Sequence, residues 1–325
     1  MSLQLYDLKH GSKANLARAL ALIEAKGDDP AVLDLLDEAF ADAKGHVIGV
    51  TGPPGVGKST LVSALIGRLR ERGETVGVIA VDPSSKRRGG ALLGDRTRFV
   101  IDPDDAGVFV RSMAARDELG GLAALTMPAV VLMRALFDRV IVETVGVGQS
   151  ETAIGDVADT IVFAVQPASG DSLQFMKAGI VEIPDIAVVT KGDLGGHADR
   201  AARELKGALE LATDGEAERI AIHVVSATEG RGIDALMVSI DLHRSRLGGA
   251  RQLAERHAEQ SGLWLAKRIH DVFGRRGLAR AGARLERAPR RPFRAYAELS
   301  AVLDANDKST QDGTQGATVA ASACN

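Results

Sequence analysis

The eight residues Gly52-Pro53-Pro54-Gly55-Val56-Gly57-Lys58-Ser59 constrain this chain more than any other stretch. They fit the pattern GxxxxGK[ST], directly between an apolar run, His46–Thr51, and a segment with Leu61, Leu65 and Leu69 at helical spacing. Glycines there permit a tight loop whose backbone N–H groups point inward at a phosphate. Lys58 brings a point charge to the β- and γ-phosphates, and the Ser59 hydroxyl is placed to ligate Mg²⁺. The start of the helix adds its partial positive charge. A Gly-rich turn without function is the competing reading, and the flanking strand and helix patterns argue against it. Nucleotide binding through Gly52 to Thr60 is the expectation.

Short apolar runs recur along the chain at His46–Thr51, Val76–Val81, Val108–Val110, Val140–Thr144, Thr160–Val165, Ile186–Thr190 and Ile222–Ser226. Alternating with helical stretches, they indicate βα units and a mostly parallel sheet with helices on both faces. Aromatics are only 3% of the 325 residues, so the core is expected to be packed from Val, Ile, Leu and Ala. Before the first strand, Ser12 is placed to cap a helix carrying Leu16, Ala19, Leu20 and Ile23, and Asp29-Pro30 starts a second. After Ile233 the pattern is wholly helical. The expected divisions are N-terminal helices over 1–44, a nucleotide-binding α/β domain over 45–247, a helical arm over 248–304 and a disordered tail over 305–325. The stretch Arg275–Arg294 holds eight arginines and one acid, Glu286. It is either a solvated helical face or a docking surface for an acidic partner.

The phosphate loop does not choose between ATP and GTP. Thr190-Lys191-Gly192-Asp193 follows a strand and has the spacing of the [NT]KxD guanine motif. A carboxylate there accepts two hydrogen bonds from guanine, a donor pair that adenine lacks, and the Lys191 stem lies over the base. Ser226-Ala227-Thr228, ending the next strand, fits the loop whose backbone reaches the guanine oxygen. Glu143-Thr144-Val145-Gly146 resembles the DxxG motif with Glu in place of Asp; it is expected to hold the Mg²⁺ shell and to sense the γ-phosphate through the Gly146 amide. Asp82 and Asp95 are further carboxylates, read either as ligands of the metal or a water or as turn and cap residues. Val147 stands where many GTPases carry a water-orienting glutamine, and the nearest glutamine, Gln149, is displaced. Slow unassisted hydrolysis is the expectation.

Bulk properties exclude several classes. A net charge of -3 gives no general attraction to nucleic acid or an anionic membrane. The single cysteine, Cys324, cannot build a disulfide framework or a thiolate metal site within one chain. No apolar run approaches the roughly 18 residues of a spanning helix, so a cytoplasmic protein is expected. A nickel metallochaperone would want Cys/His clusters, and seven scattered histidines supply none. A transport-linked kinase would want ATP preference, which the TKGD motif opposes.

With these motifs in place, the chain resembles the MeaB/ArgK family of GTPases, to which the methylmalonic aciduria type A proteins belong. The matching stretches are GVTGPPGVGKSTL, AVDPSSKRRGGALLGDRTR, VIVETVGVGQSE, Gly170-Asp171-Ser172-Leu173-Gln174 with Lys177-Ala178-Gly179-Ile180, and VVTKGD. Together they run roughly from Leu16 to Ile240. Departures are Arg111-Ser112-Met113-Ala114-Ala115-Arg116, in place of a Pro- and Ser-richer stretch, and Gly192 in place of Ala or Ser. The resemblance implies GTP and GDP with Mg²⁺ as ligands, and a chaperone of an adenosylcobalamin-dependent acyl-CoA mutase. It further implies a homodimer joined through C-terminal helices, and a mutase-sensing loop containing Asp171, Gln174 and Lys177.

Overall fold

The computed structural model describes residues 4–83, 99–115, 125–144, 154–167, 184–212, 220–285 and 290–305. Among these residues seven strands form one sheet: β1 His46–Thr51, β2 Val76–Pro83, β3 Val108–Ala115, β4 Arg139–Glu143, β5 Thr160–Val165, β6 Ile186–Val189 and β7 Ala221–Val224. Their order is β3-β2-β4-β1-β5-β6-β7, and each neighbouring pair is parallel. The central strands β1, β4, β5 and β6 are buried along their whole length, as their unbroken apolar runs require when both faces are covered.

Successive side chains on these strands feed opposite layers. Val47, Val140, Val142 and Ile79 join one cluster, with α2 (Lys13–Ala25), α3 (Pro30–Ala41) and α5 (Thr126–Leu136). Ile48, Val50, Ile141 and Val78 join the other, with α4 (Lys58–Glu71) and α7 (Ile233–Arg246). Between them in the chain, α6 (Gly196–Ala212) covers β5, β6 and β7 through Leu205 and Leu209. A short α1 (Leu5–Lys9) precedes the hairpin of α2 and α3. In α4 the leucines at 61, 65 and 69 are all fully buried, each contributing about 1.5–3 kcal/mol of burial. Gly73 ends that helix at φ 76, where its N–H bonds back to the Arg70 carbonyl.

Asp29 caps α3 by accepting from the Ala31 N–H at 2.9 Å, with Pro30 in the first turn. Ser12 occupies the cap position of α2, but its side chain makes no capping bond. The long α8 (Ala250–Ala281) turns at Gly274, whose φ of 65 is not helical. A last helix over 292–305 lies against it through Leu299 and Leu303. Among the described residues no helix is long and apolar enough to cross a membrane.

Candidate nucleotide site

Every motif residue that the structure describes gathers at one edge of the sheet, beyond the carboxyl ends of the strands. The chain leaves β1 toward β2 on one side and later places β5 on the other, so the crevice at β1 is where connections diverge. That is the position at which open parallel sheets bind ligands.

The loop leaving β1 runs through three glycines at positive φ: Gly52 at 140, Gly55 at 77 and Gly57 at 97. A Cβ on Gly52 would stand 2.1 Å from the Ala164 carbonyl oxygen, so β5 itself demands glycine there. At Gly55 and Gly57 a Cβ would meet nothing within 4 Å. The space above that part of the loop is open, which is the cradle a phosphate group needs. Val56 is buried, Pro53 partly so, and Pro54 lies at the surface. Lys58 is buried and its Nζ donates to the carbonyls of Gly52 at 2.7 Å and Pro53 at 2.9 Å. Those bonds hold the motif's one cation against the loop. Thr60, in the first turn of α4, is exposed.

Because β4 lies beside β1, Val50 is in register with Glu143. The pairing continues past the strand, with the Thr144 N–H on the Val50 carbonyl at 3.1 Å and the Thr51 and Thr144 hydroxyls 2.9 Å apart. This delivers the buried Glu143 to Ser59, whose hydroxyl donates to Glu143 Oε1 at 2.7 Å. A hydroxyl and a carboxylate are hard oxygen donors that suit Mg²⁺ retaining waters and phosphate oxygens. The residues present therefore fit the metal, which would be held by Ser59 and Glu143 and would neutralise phosphate charge. The backbone of Asp82, near the end of β2, reaches the same edge, two residues beyond Ala80, the partner of Glu143. Asp95, Gly146, Val147, Gln149, Asp171, Gln174 and Lys177 lie outside the described residues.

On the other side of β1 the elements expected to read the base are tied to the loop. Thr190 is buried; its hydroxyl donates to the Val56 carbonyl at 2.6 Å and lies 3.0 Å from that of Val165. Lys191, the only non-glycine at positive φ among the described residues, bonds the Gly55 carbonyl at 3.3 Å and Gln166 Oε1. Gly192 donates to the Val225 carbonyl at 2.8 Å, and a Cβ there would stand 3.0 Å from that residue's backbone. Ser226 donates to Asp193 Oδ1 at 3.0 Å and lies 3.2 Å from the Thr228 hydroxyl. The Ser226-Ala227-Thr228 loop is closed by the Ser226 N–H on the Arg231 carbonyl, 3.0 Å. Asp193 stays exposed, so its carboxylate is both oriented and accessible.

Two contributors escaped the sequence. Gln166 follows β5 as Thr190 follows β6, and that shared place at a strand end was the available signal. The Thr51–Thr144 bridge joins residues 93 apart and had none.

An open glycine loop at the divergence point of a parallel sheet, a hydroxyl–carboxylate pair beside it and an oriented, accessible carboxylate after β6 fit a P-loop GTPase. The sequence matches the family described as "Methylmalonyl Co-A mutase-associated GTPase MeaB" over residues 16–280. A Mycobacterium tuberculosis chain named "Probable GTPase Rv1496" is 40% identical over 272 residues, 82% of this chain and 81% of its own. The mitochondrial methylmalonic aciduria type A homolog of Mus musculus is 37% identical over 228 residues, 69% of this chain and 55% of the longer mouse protein. The solved "LAO/AO transport system kinase" superposes with a TM-score of 0.61 at 27% identity, covering 91% of this chain and 95% of that one. This chain belongs to the MeaB family of GTPases, enzymes that hydrolyse GTP.

Proposed function

We propose that this GTPase is a switch that assists an adenosylcobalamin-dependent acyl-CoA mutase of the methylmalonyl-CoA type, in cofactor loading and in protection. The observation that carries the reading is the family match, whose description names association with that mutase and which spans both the GTPase core and most of α8. The site supports a switch. Glu143 and Thr144 are fixed to the phosphate loop, and the chain runs from them directly into 145–153, the segment beginning Val145-Gly146-Val147. A γ-phosphate sensed at Gly146 would bias that segment, as order–disorder transitions do in other GTPases.

In this reading Lys58 and the loop amides hold the β- and γ-phosphates, and Ser59 and Glu143 hold Mg²⁺ with Asp82 and Asp95 in support. Val147 cannot orient a water, so unassisted turnover is far below the usual enzyme median of about 10 per second. Asp171, Gln174 and Lys177 sense the mutase, and the working form is a homodimer in the cytoplasm. The test is GTP turnover, with and without a purified adenosylcobalamin-dependent methylmalonyl-CoA mutase. Acceleration by the mutase is expected, reduced in Lys177→Ala while its unassisted rate stays unchanged. Absence of both complex formation and acceleration would remove the mutase from the reading and leave the GTPase.

A further inference from the structure

A cavity of about 690 Å³ lies at the opposite edge of the sheet, where the chain enters β1 and leaves α7. None of its lining residues belongs to the phosphate, metal or guanine motifs. Its volume falls within the roughly 300–1,000 Å³ of small-molecule sites.

Its walls are of two kinds. Phe40, Leu253 and Ala254 make an apolar side, between the end of α3 and the start of α8. Lys44 and Arg244 make a cationic side. Among the described residues Asp241 is the only acid in the lining, and its carboxylate is already engaged by Arg72 at 2.8 Å and by Arg139 at 2.7 Å. His257, in the floor, is bonded to Asp159 Oδ1 at 2.8 Å. The negative charge near the cavity is thus committed elsewhere.

Arg244 is different. It is half-buried, yet it makes no hydrogen bond or ion pair with any described residue. Its charge is felt at Asp138, but that carboxylate accepts from the Thr75 amide at 2.8 Å and hydroxyl at 2.7 Å. Lys44 adds a second cation, 3.3 Å from an Asp42 carboxylate that Lys9 also holds. A guanidinium at the cavity wall with no bonded anion keeps its donors for one, and an entering anionic group would form charge-assisted hydrogen bonds there.

We propose that this cavity is a second ligand site, for an organic anion with an apolar body against Phe40 and Leu253 and an anionic head on Arg244 and Lys44. A ligand seated there would touch α3, α7 and α8 together, away from the nucleotide.

The probe is 8-anilinonaphthalene-1-sulfonate, an apolar body with one anionic head, titrated into the full chain saturated with GDP and Mg²⁺. A blue-shifted, saturable signal is expected. Arg244→Gln should weaken it about tenfold, the loss of one good charged contact. Ala254→Trp, which adds an indole at the cavity wall, should weaken it as well. Arg251→Gln, an exposed residue paired with Glu255 outside the cavity, should leave it unchanged. The uncharged N-phenyl-1-naphthylamine should bind at least about tenfold more weakly, for the same electrostatic reason. Unchanged GDP affinity reports that each variant has folded. No saturable binding to the wild type, equal binding of the uncharged analogue, or wild-type binding by Arg244→Gln would each overturn the proposal. Should Ala254→Trp fail to fold, the charge-removal and uncharged-probe arms decide it.

Discussion

Gly52 and Gly55 are both glycines at positive φ in one loop, and their surroundings make different demands. At Gly52 a methyl group would lie 2.1 Å from the Ala164 carbonyl oxygen, a backbone atom of the neighbouring strand that cannot turn aside. At Gly55 the space is open and only the φ of 77 is unfavourable to an L residue. Gly55→Ala should therefore cost about 1–2 kcal/mol, the left-handed penalty alone. Gly52→Ala must also part β1 from β5, and should lose more than about 3 kcal/mol together with nucleotide binding. Urea unfolding and GDP titration compare the two; equal losses would mean that the Ala164 contact does not set the loop. At the base site, Ser226 orients Asp193 while leaving it exposed. Asp193→Asn swaps an acceptor for a donor, so GTP affinity should fall and xanthosine triphosphate should gain by roughly 1–3 kcal/mol in relative terms. Competition binding reads this, and an unaltered order of preference would exclude Asp193 from base reading.

The strands show which parts of an element a sequence discloses. Buried parallel strands have to be apolar along their length, so β1, β4, β5 and β6 stood out. In β3, Val108–Val110 was legible, but the strand runs on through Arg111-Ser112-Met113-Ala114-Ala115, where partnership with β2 overrides a mixed composition. Strand order was not legible, and it alone brings Glu143 to Ser59. Nor was the polar chain across the N-terminal edge, whose members come from four elements and a loop. Arg139 has only donors, so His46 Nδ1 accepts from it at 3.2 Å and Nε2–H donates to the Thr160 hydroxyl at 2.8 Å. Thr160 then donates to His243 Nδ1 at 2.8 Å, and His243 faces Asp185 at 3.1 Å. A second proton on His46 would have to point at Arg139. Burial first, then that guanidinium, push His46 down to about 3, against the attraction of Asp159. The unfolded histidine takes a proton near pH 6.5 while the folded one does not. This contribution is complete above pH 6.5 and is lost as pH falls toward 3, by up to about 1.4 kcal/mol per unit. The urea midpoint should drop between pH 7 and 5, and His46→Gln, although less stable at pH 7, should lose less over that interval. Parallel pH profiles of the two proteins would mean that His46 is not held neutral.

Across the whole molecule the two ends of the described chain meet. The arginine-rich stretch was open to two readings, a solvated face or a docking surface. The structure gives Arg291 and Arg294 intramolecular partners in Asp34 and Asp37 on α3. Asp37 is buried, with oxygens accepting from the backbone N–H groups of Phe293 at 3.1 Å and Arg294 at 3.2 Å, at the start of the 292–305 helix. It caps a helix from 256 residues away. Phe293 enters the same core as α2 and α3, with the Trp264 ring of α8 tilted against it at a centroid distance of 4.9 Å. The C-terminal helices are therefore anchored on the N-terminal hairpin, while Gln260 of α8 donates to the Ala158 carbonyl at 2.9 Å, just before β5. Asp37→Ala would leave two backbone donors without their acceptor and remove a cap. The docked helix should lose about 1–3 kcal/mol, and Asp37→Asn, which keeps one acceptor oxygen, should lose less. Hydrogen exchange followed by mass spectrometry localises the effect. Protection should fall over 292–305 and along α3 but not along the phosphate loop, and GDP affinity should be unchanged, because neither partner reaches the carboxyl edge of the sheet. If Asp37→Ala leaves 292–305 as protected as in the wild type, the apolar contacts of Phe293 and Tyr296 hold the arm and the cap is incidental. If protection falls at the phosphate loop as well, the hairpin, arm and sheet unfold as one cooperative unit rather than as a docked layer.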